Sequence, residues 1–153
     1  MVRKATLADY EAIAALDRQV FGIHKAARPD IMKQSPFNRE FLKECLEDEC
    51  RTLFVYEENN HILGHCLISV YDYHNNDMYH DMIICHIDSM CVDESARGKQ
   101  IGRLLFDRAK EYAGEINADR LELMVWAFNE DARRFYEKLG MHAKHTQMEM
   151  KLK

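Results

Sequence analysis

The sequence predicts an α/β fold: a single domain, residues 1–153, built on a mixed β-sheet with helices on both faces. Three observations carry this. Apolar residues alternate with period two in several short stretches and recur with helical period in others. The two kinds interleave in the order β-α-α-β-β-β-α-β-α-β-β. The 153 residues, 47% apolar and 31% charged, suffice for one substantial core and are too few for two ordinary domains.

Val2–Ala5 reads as a first strand. Thr6 and Asp9 stand where an N-cap and its capping-box partner belong. Ile13, Leu16 and Val20 then mark a helix over residues 7–21. Gly22, Pro29 and Pro36 punctuate the next segment, so 22–36 reads as a loop. Ser35-Pro36 is expected to cap a second helix whose apolar face is Phe41, Leu42, Cys45 and Leu46. Arg51–Glu58 and His61–Tyr73 alternate as strands around Asn59-Asn60, a hairpin signal. His74–Asp81 is a polar connection, and Met82–Val92 the next strand. After the basic turn at Arg97–Lys99, the residues Ile101, Leu104, Leu105, Ala109 and Tyr112 give a helix over 100–116. Leu121–Ala127 alternates as a strand. Asn129 starts a helix with Ala132, Phe135, Tyr136 and Leu139 on one face, closed by Gly140 as C′ residue. Met141–Lys144 and Thr146–Leu152 are read as the last two strands.

Composition narrows the function classes. A net charge of −5 argues against general nucleic-acid binding, which usually shows a basic domain or stripe. No apolar run approaches the roughly 18–20 residues of a membrane helix, and Met-Val-Arg-Lys-Ala-Thr lacks a signal-peptide core, so the expected location is the cytoplasm. Five cysteines without a CxxC pair support neither a disulfide framework nor a structural zinc site. The histidines, His65, His74, His80 and His86 among them, show no ligand spacing, and no metal is expected. Most of them read as loop or strand-surface residues.

The most informative stretch is Ile84–Phe106. A strand there ends in a glycine-containing basic turn and feeds a helix N-terminus. The first helical N–H groups lack intrahelical partners and the helix dipole is positive at that end, so the geometry suits an anion. Arg97, Lys99 and Arg103 add full charges. A GxGxxG or GxxxxGK[ST] turn after an early strand, which an ordinary nucleotide-binding domain would show, is absent.

Arg97-Gly-Lys-Gln100-Ile-Gly102 resembles the Arg/Gln-x-x-Gly-x-Gly/Ala signature of the Gcn5-related N-acetyltransferase (GNAT) superfamily, with Gln100 where the family usually has its first glycine. Asn129-Glu-Asp-Ala132-Arg-Arg-Phe135-Tyr136-Glu-Lys-Leu-Gly140-Met141 is similar to that family's Asn-x-x-Ala-x-x-Phe-Tyr-x-x-x-Gly-Phe segment, with methionine at the last position. The resemblance covers nearly the whole chain. It implies a mostly antiparallel sheet and transfer of an acetyl group from acetyl-CoA directly to a primary amine of a small molecule or polypeptide. It implies that Met90, Cys91 and Val92 align the pantetheine arm. Arg97, Gly98, Lys99, Gln100, Ile101, Gly102 and Arg103 would surround the pyrophosphate, and Asn129 and Tyr136 would complete the cofactor site.

Within that frame Tyr136, protonated at neutral pH with an intrinsic pKa of about 10, is the candidate general acid for the leaving thiolate. Asp88, among apolar strand residues, is the candidate base or amine anchor. His86 shares its face and stays open as the base, as does water. Loop 22–36 and segment 74–81 would border the acceptor. Cys91 reads as a buried thiol rather than a nucleophile. Met141, Met148 and Met150 suit a core or a subunit contact, which leaves a homodimer open. A non-catalytic acyl-CoA sensor is the alternative; it would keep Arg97–Arg103 and need neither Tyr136 nor Asp88.

Overall fold

The computed structural model describes residues 1–153. In chain order it contains β1 (Val2–Lys4), α1 (Tyr10–Ala27), α2 (Arg39–Glu47), β2 (Arg51–Glu58), β3 (His61–Asp72), β4 (Ile83–Val92), α3 (Ile101–Glu115), β5 (Arg120–Leu123) and α4 (Glu130–Lys138). Single 3-10 turns at Leu7–Asp9 and Glu94–Ala96 lead into α1 and towards α3. One sheet has the strand order β1-β2-β3-β4-β5. The first three pairings are antiparallel and β4–β5 is parallel, so the sheet is mixed and mostly antiparallel.

Strand alternation sorts the core onto the two faces. Phe54, Cys66, Ile68, Cys85 and Ile87 pack with Ile101, Leu105, Phe106 and Ala109 of α3. On the opposite face Leu53 and Val55 pack with Ile13 of α1 and Leu42 of α2. Helices therefore cover both faces. Asn59 and Asn60, at φ 50° and 62°, close the β2–β3 hairpin with the left-handed pair such two-residue turns need. The Thr6–Asp9 capping box is present. Asp9, nearly buried, also receives both terminal nitrogens of Arg3 at 2.8 and 2.9 Å, which ties the start of α1 to β1 and holds its carboxyl below the usual range.

Several boundaries differ from the sequence expectation. The first helix runs to Ala27, not residue 21, because Gly22 inside a helix costs only about 1 kcal/mol. His24 and Lys25 suit the negative end of the dipole, and the helix stops at Arg28, where the following Pro29 disfavours helical backbone. The second helix is capped by Asn38, whose side chain accepts from the Phe41 amide at 2.9 Å, rather than by Ser35-Pro36. Ser35 instead donates to Asp17 of α1 and accepts from the Phe37 amide. The strand expected to reach Ala127 ends at Leu123. The two strands expected after Gly140 are absent: alternation marks 146–152, but residues 142–153 form no backbone hydrogen bond with a neighbouring strand. No helix is long and apolar enough to cross a membrane.

Candidate active site

The site is organised by the end of β4. Its pairing with β5 covers only Ile84–Ile87 against Arg120–Leu123. On the other side the register with β3 steps from Ile68↔Ile87 to Leu67↔Ser89, so Asp88 is an extra, unpaired residue in β4. Such a bulge sharpens the local twist and commonly ends pairing. Beyond it, Ser89–Val92 have β3 on one side and no strand on the other. That open stretch of backbone contains Met90, Cys91 and Val92. Met90 and Val92 lean on the α3-side core. Cys91 points the other way and donates its thiol to the Leu16 carbonyl at 3.3 Å, and burial pushes that thiol up to about 11.

The basic turn follows directly. Gln19 of α1 clamps its beginning, donating to Asp93 at 3.0 Å and accepting from the Glu94 amide at 3.1 Å. Gly98 lies at φ 81°, and Gln100 at φ 62°, ψ 10°, both in the left-handed region. Gln100 is the N-cap of α3 but its side chain does not cap the helix, so the first-turn N–H groups receive no bond from it. Arg97 and Arg103 are exposed and make only loose ion pairs, with Glu94 at 3.9 Å and Asp107 at 3.4 Å. Such pairs are worth little in water and release easily to a better anion.

Two glycines bring the start of α3 against its neighbours. A Cβ at Gly64 of β3, opposite Val92, would lie 2.9 Å from the Cys91 carbonyl oxygen and 3.0 Å from Leu105. A Cβ at Gly102 would meet the Phe135 ring at 3.3 Å. The first glycine seats α3 on the β3–β4 ladder, and the second seats α4 on the first turn of α3. Gly64 escaped the sequence reading, because a lone glycine in a strand carries no period of its own; its signal is the close backbone approach such a glycine often marks.

Asn129 caps α4, accepting from the Ala132 amide at 3.2 Å, so its side chain is engaged in holding the helix that carries Tyr136. The Tyr136 ring packs against Phe106 and Phe135, with centroids 6.1 and 5.1 Å away. Burial raises its hydroxyl well above the ordinary tyrosine value, and no hydrogen bond to the protein contributes to that shift. The result is a protonated phenol with a free donor.

On the α1–α2 face of β4, Asp88 borders apolar side chains as the sequence suggested, but it also has two polar partners. Ser69 donates to it and His86 Nδ1 lies 3.0 Å from its other oxygen, with both His86 and Asp88 side chains about a quarter exposed (22% and 27%). The bulge interrupts the strand expected to be continuous, yet it still brings these two side chains together. Beside them is a cavity of about 200 Å³ lined by Asp17, Phe37, Phe41, Leu53, His65, Asp88 and Ser89, among others. Of the expected border segments, Pro36 reaches this cavity, while 74–81 does not.

His65 departs from the surface role expected for most of the histidines. It is 3% exposed, its Nε2 pairs with Ser89 Oγ at 3.2 Å, and its Nδ1 is buried without a partner. Burial pushes its pKa down to about 4, so the ring is neutral at pH 7. The histidines do not converge: His74 pairs with Asp72, His86 with Asp88 and His65 with Ser89. All five cysteines are free, and only Cys50 is exposed.

Residues 17–141 match the family model described as the acetyltransferase (GNAT) family. A Bacillus subtilis (strain 168) protein, named as a proposed ribosomal protein bS18-alanine N-acetyltransferase, is 31% identical over 108 residues, covering 70% of this chain and 65% of that protein. The crystal structure of a tetramutant of the BH1408 protein from Bacillus halodurans superposes with a TM-score of 0.95 at 32% identity, over 99% of each chain. The aminoglycoside N-acetyltransferase AAC(6')-Iy in complex with CoA shares the fold, with a TM-score of 0.75 at 12% identity over 100% of this chain and 99% of its own.

Proposed function

This chain belongs to the acetyltransferase (GNAT) family, and from that premise we propose that it moves the acetyl group of acetyl-CoA directly to a primary amine. The observation that carries the reading is the open backbone edge of Ser89–Val92 running into a left-handed basic turn and the uncapped start of α3. An extended amide-bearing arm fits such an edge as an added strand does, and a pyrophosphate fits the helix start. The CoA complex of the fold neighbour supports the same choice of donor.

Acetyl-CoA supplies an activated thioester. Met90, Cys91 and Val92 would align its arm, and a backbone N–H on that edge would stabilise the developing oxyanion, an interaction worth about 3 kcal/mol. Arg97, Gly98, Lys99, Gln100, Ile101, Gly102 and Arg103 would hold the phosphates, with Asn129 fixing α4 beside them. Tyr136 would donate its proton to the sulfur as the thiolate leaves; its raised pKa keeps that proton available at any physiological pH.

An alkylamine near pKa 10.4 is neutral in only about one molecule in a few thousand at pH 7, so its proton must be taken. Asp88 is the proposed acceptor and anchor, oriented by Ser69 and His86. The cavity next to it combines the carboxylates of Asp17 and Asp88 with Phe37 and Phe41. That lining suits a cationic amine on a compact apolar body, either a small molecule or the end of a polypeptide, as the name of the Bacillus subtilis relative suggests.

Thiol release from acetyl-CoA over a panel of small amines and short peptides tests the reaction. Tyr136→Phe is expected to lower kcat by ~10²–10⁴ with acetyl-CoA binding intact. Asp88→Asn is expected to shift the activity profile to higher pH, where the amine deprotonates unaided. Binding of acetyl-CoA with no release from any acceptor would reject the enzyme reading in favour of a sensor.

A further inference from the structure

The irregularity at Asp88 does more than open a backbone edge. In a regular strand Asp88 and Ser89 would point to opposite faces of the sheet. With Asp88 the extra residue opposite β3, both line the same cavity of about 200 Å³ on the α1–α2 face. A carboxylate and a hydroxyl on consecutive residues therefore border one space.

What that hydroxyl can do is fixed from behind by His65. His65 Nε2 lies 3.2 Å from Ser89 Oγ, the one hydrogen bond that either side chain makes, and His65 Nδ1 is buried without a partner. The ring is neutral at pH 7 and so carries a single N–H. A buried N–H left without an acceptor is a rarer defect than an acceptor left bare. These surroundings assign the proton to Nε2 and leave Nδ1 the bare acceptor. His65 then donates to Ser89, and the Ser89 O–H finds no acceptor in the protein. It is a donor held at the cavity wall.

We propose that Ser89, oriented by His65, selects amines that carry a neutral oxygen acceptor on the neighbouring carbon, as an α-amino amide does. The inference rests on the placing of the amine at Asp88. Because Asp88 and Ser89 are consecutive, the nitrogen and oxygen they bind must lie close together on the substrate. The amine donates to the carboxylate, and the carbonyl oxygen accepts from the hydroxyl. A free carboxylate in the carbonyl's place is disfavoured, since Asp17 and Asp88 both line the cavity and repel it. A plain alkylamine would displace water from the Ser89 hydroxyl and leave it unpaired. The first residue of a peptide and a small amino-acid amide share the selected unit.

Calorimetric titration of the CoA-bound protein with L-alaninamide and with 3-methyl-2-butylamine, the same skeleton without oxygen or amide nitrogen, tests this. Ser89→Ala should lower the ratio of the two affinities about 10-fold, the effect of one hydrogen bond to a desolvated donor. His65→Leu should lower it comparably. His65→Gln, whose amide N–H can take the place of Nε2–H, should restore it. The ratio cancels any general loosening of the site, and Ser89→Ala, at a half-buried position, decides the matter should His65→Leu not fold. L-alanine should bind the wild type at least ~10-fold more weakly than L-alaninamide. Tighter binding of alanyl-alaninamide than of L-alaninamide would support a polypeptide end as the source of the unit, and weaker binding a small amide. Thiol release is followed on the same amines: its absence with these affinity ratios intact would reject the acetyl-transfer reading and still support the inference. A ratio unchanged in Ser89→Ala would overturn the inference. So would a wild type that binds no alaninamide at ~10 mM.

Discussion

Gly64→Ala tests how the sheet positions the start of α3. The added methyl would lie 2.9 Å from the Cys91 carbonyl oxygen, 3.0 Å from Leu105 Cδ1 and 3.3 Å from Ile101 Cγ2. The first of these is backbone inside a ladder and cannot rotate away, so α3 must lift or β3 and β4 must part. Overpacking of this kind costs about 1–3 kcal/mol, and alanine recovers about 0.5–1 kcal/mol over glycine in a strand. The expected net loss is about 1–2 kcal/mol in urea unfolding, with an unchanged m-value, and a Tm lower by roughly 4 °C. Because the residues displaced belong to the first turns of α3, acetyl-CoA affinity should fall as well. Gly22→Ala is the control: its Cβ meets nothing within 4 Å in the interior of α1, and it should stabilise by about 0.5–1 kcal/mol. Equal or higher stability of Gly64→Ala would refute the claim that α3 is seated by this close approach.

Other expectations follow from single features of the site. His65 is held neutral with a pKa of about 4 against an ordinary 6.5, so the unfolded chain binds more protons between those values and stability falls as pH drops through that window, by about 3 kcal/mol in all. His65→Gln should flatten that slope in urea titrations; His24 and His74 are common to both proteins and cancel in the comparison. Asn129→Ala should cost about 1 kcal/mol by removing the α4 cap, read by chemical denaturation, and should lower kcat by loosening Tyr136. At Gln100 the left-handed backbone costs a side chain about 1 kcal/mol, which glycine relieves while losing about as much to unfolded-state entropy. Gln100→Gly should therefore leave stability within ~0.5 kcal/mol and bind acetyl-CoA more tightly in calorimetry, having removed a Cβ from the turn.

Features written in local chemistry were legible from the residues alone. Asn59-Asn60 demands left-handed backbone and marks the hairpin, Asn129 offers a cap and Gly140 a left-handed stop at φ 93°. The basic turn at 97–102 was legible for the same reason, and the structure adds why the glycine position matters: Gln100 occupies the left-handed region. What depends on contacts distant in sequence left little trace. The Asp88 bulge is one residue of slippage between β3 and β4, set by both strands together. His65 reads like any histidine in an alternating strand; its burial and its Ser89 partner on β4 come from contacts distant in sequence. The apparent strand at 146–152 has the right period, but a strand also needs a neighbour, and one copy provides none. The polar surroundings of Asp88 left no trace in the sequence either, because Ser69 and His86 reach it only through the β3–β4 register.

The central claim is that the open end of β4 and the start of α3 hold acetyl-CoA. Calorimetric titration of the protein with acetyl-CoA measures this directly. One molecule per chain is expected, with the fold stabilised by ~2.7 kcal/mol at 100 times the dissociation constant. Affinity should fall at least ~10-fold in Arg97→Glu with Arg103→Glu, where two cations proposed to hold the phosphates become anions. No heat and no change in Tm at about 1 mM acetyl-CoA, a concentration that would reveal even weak binding, would contradict the account.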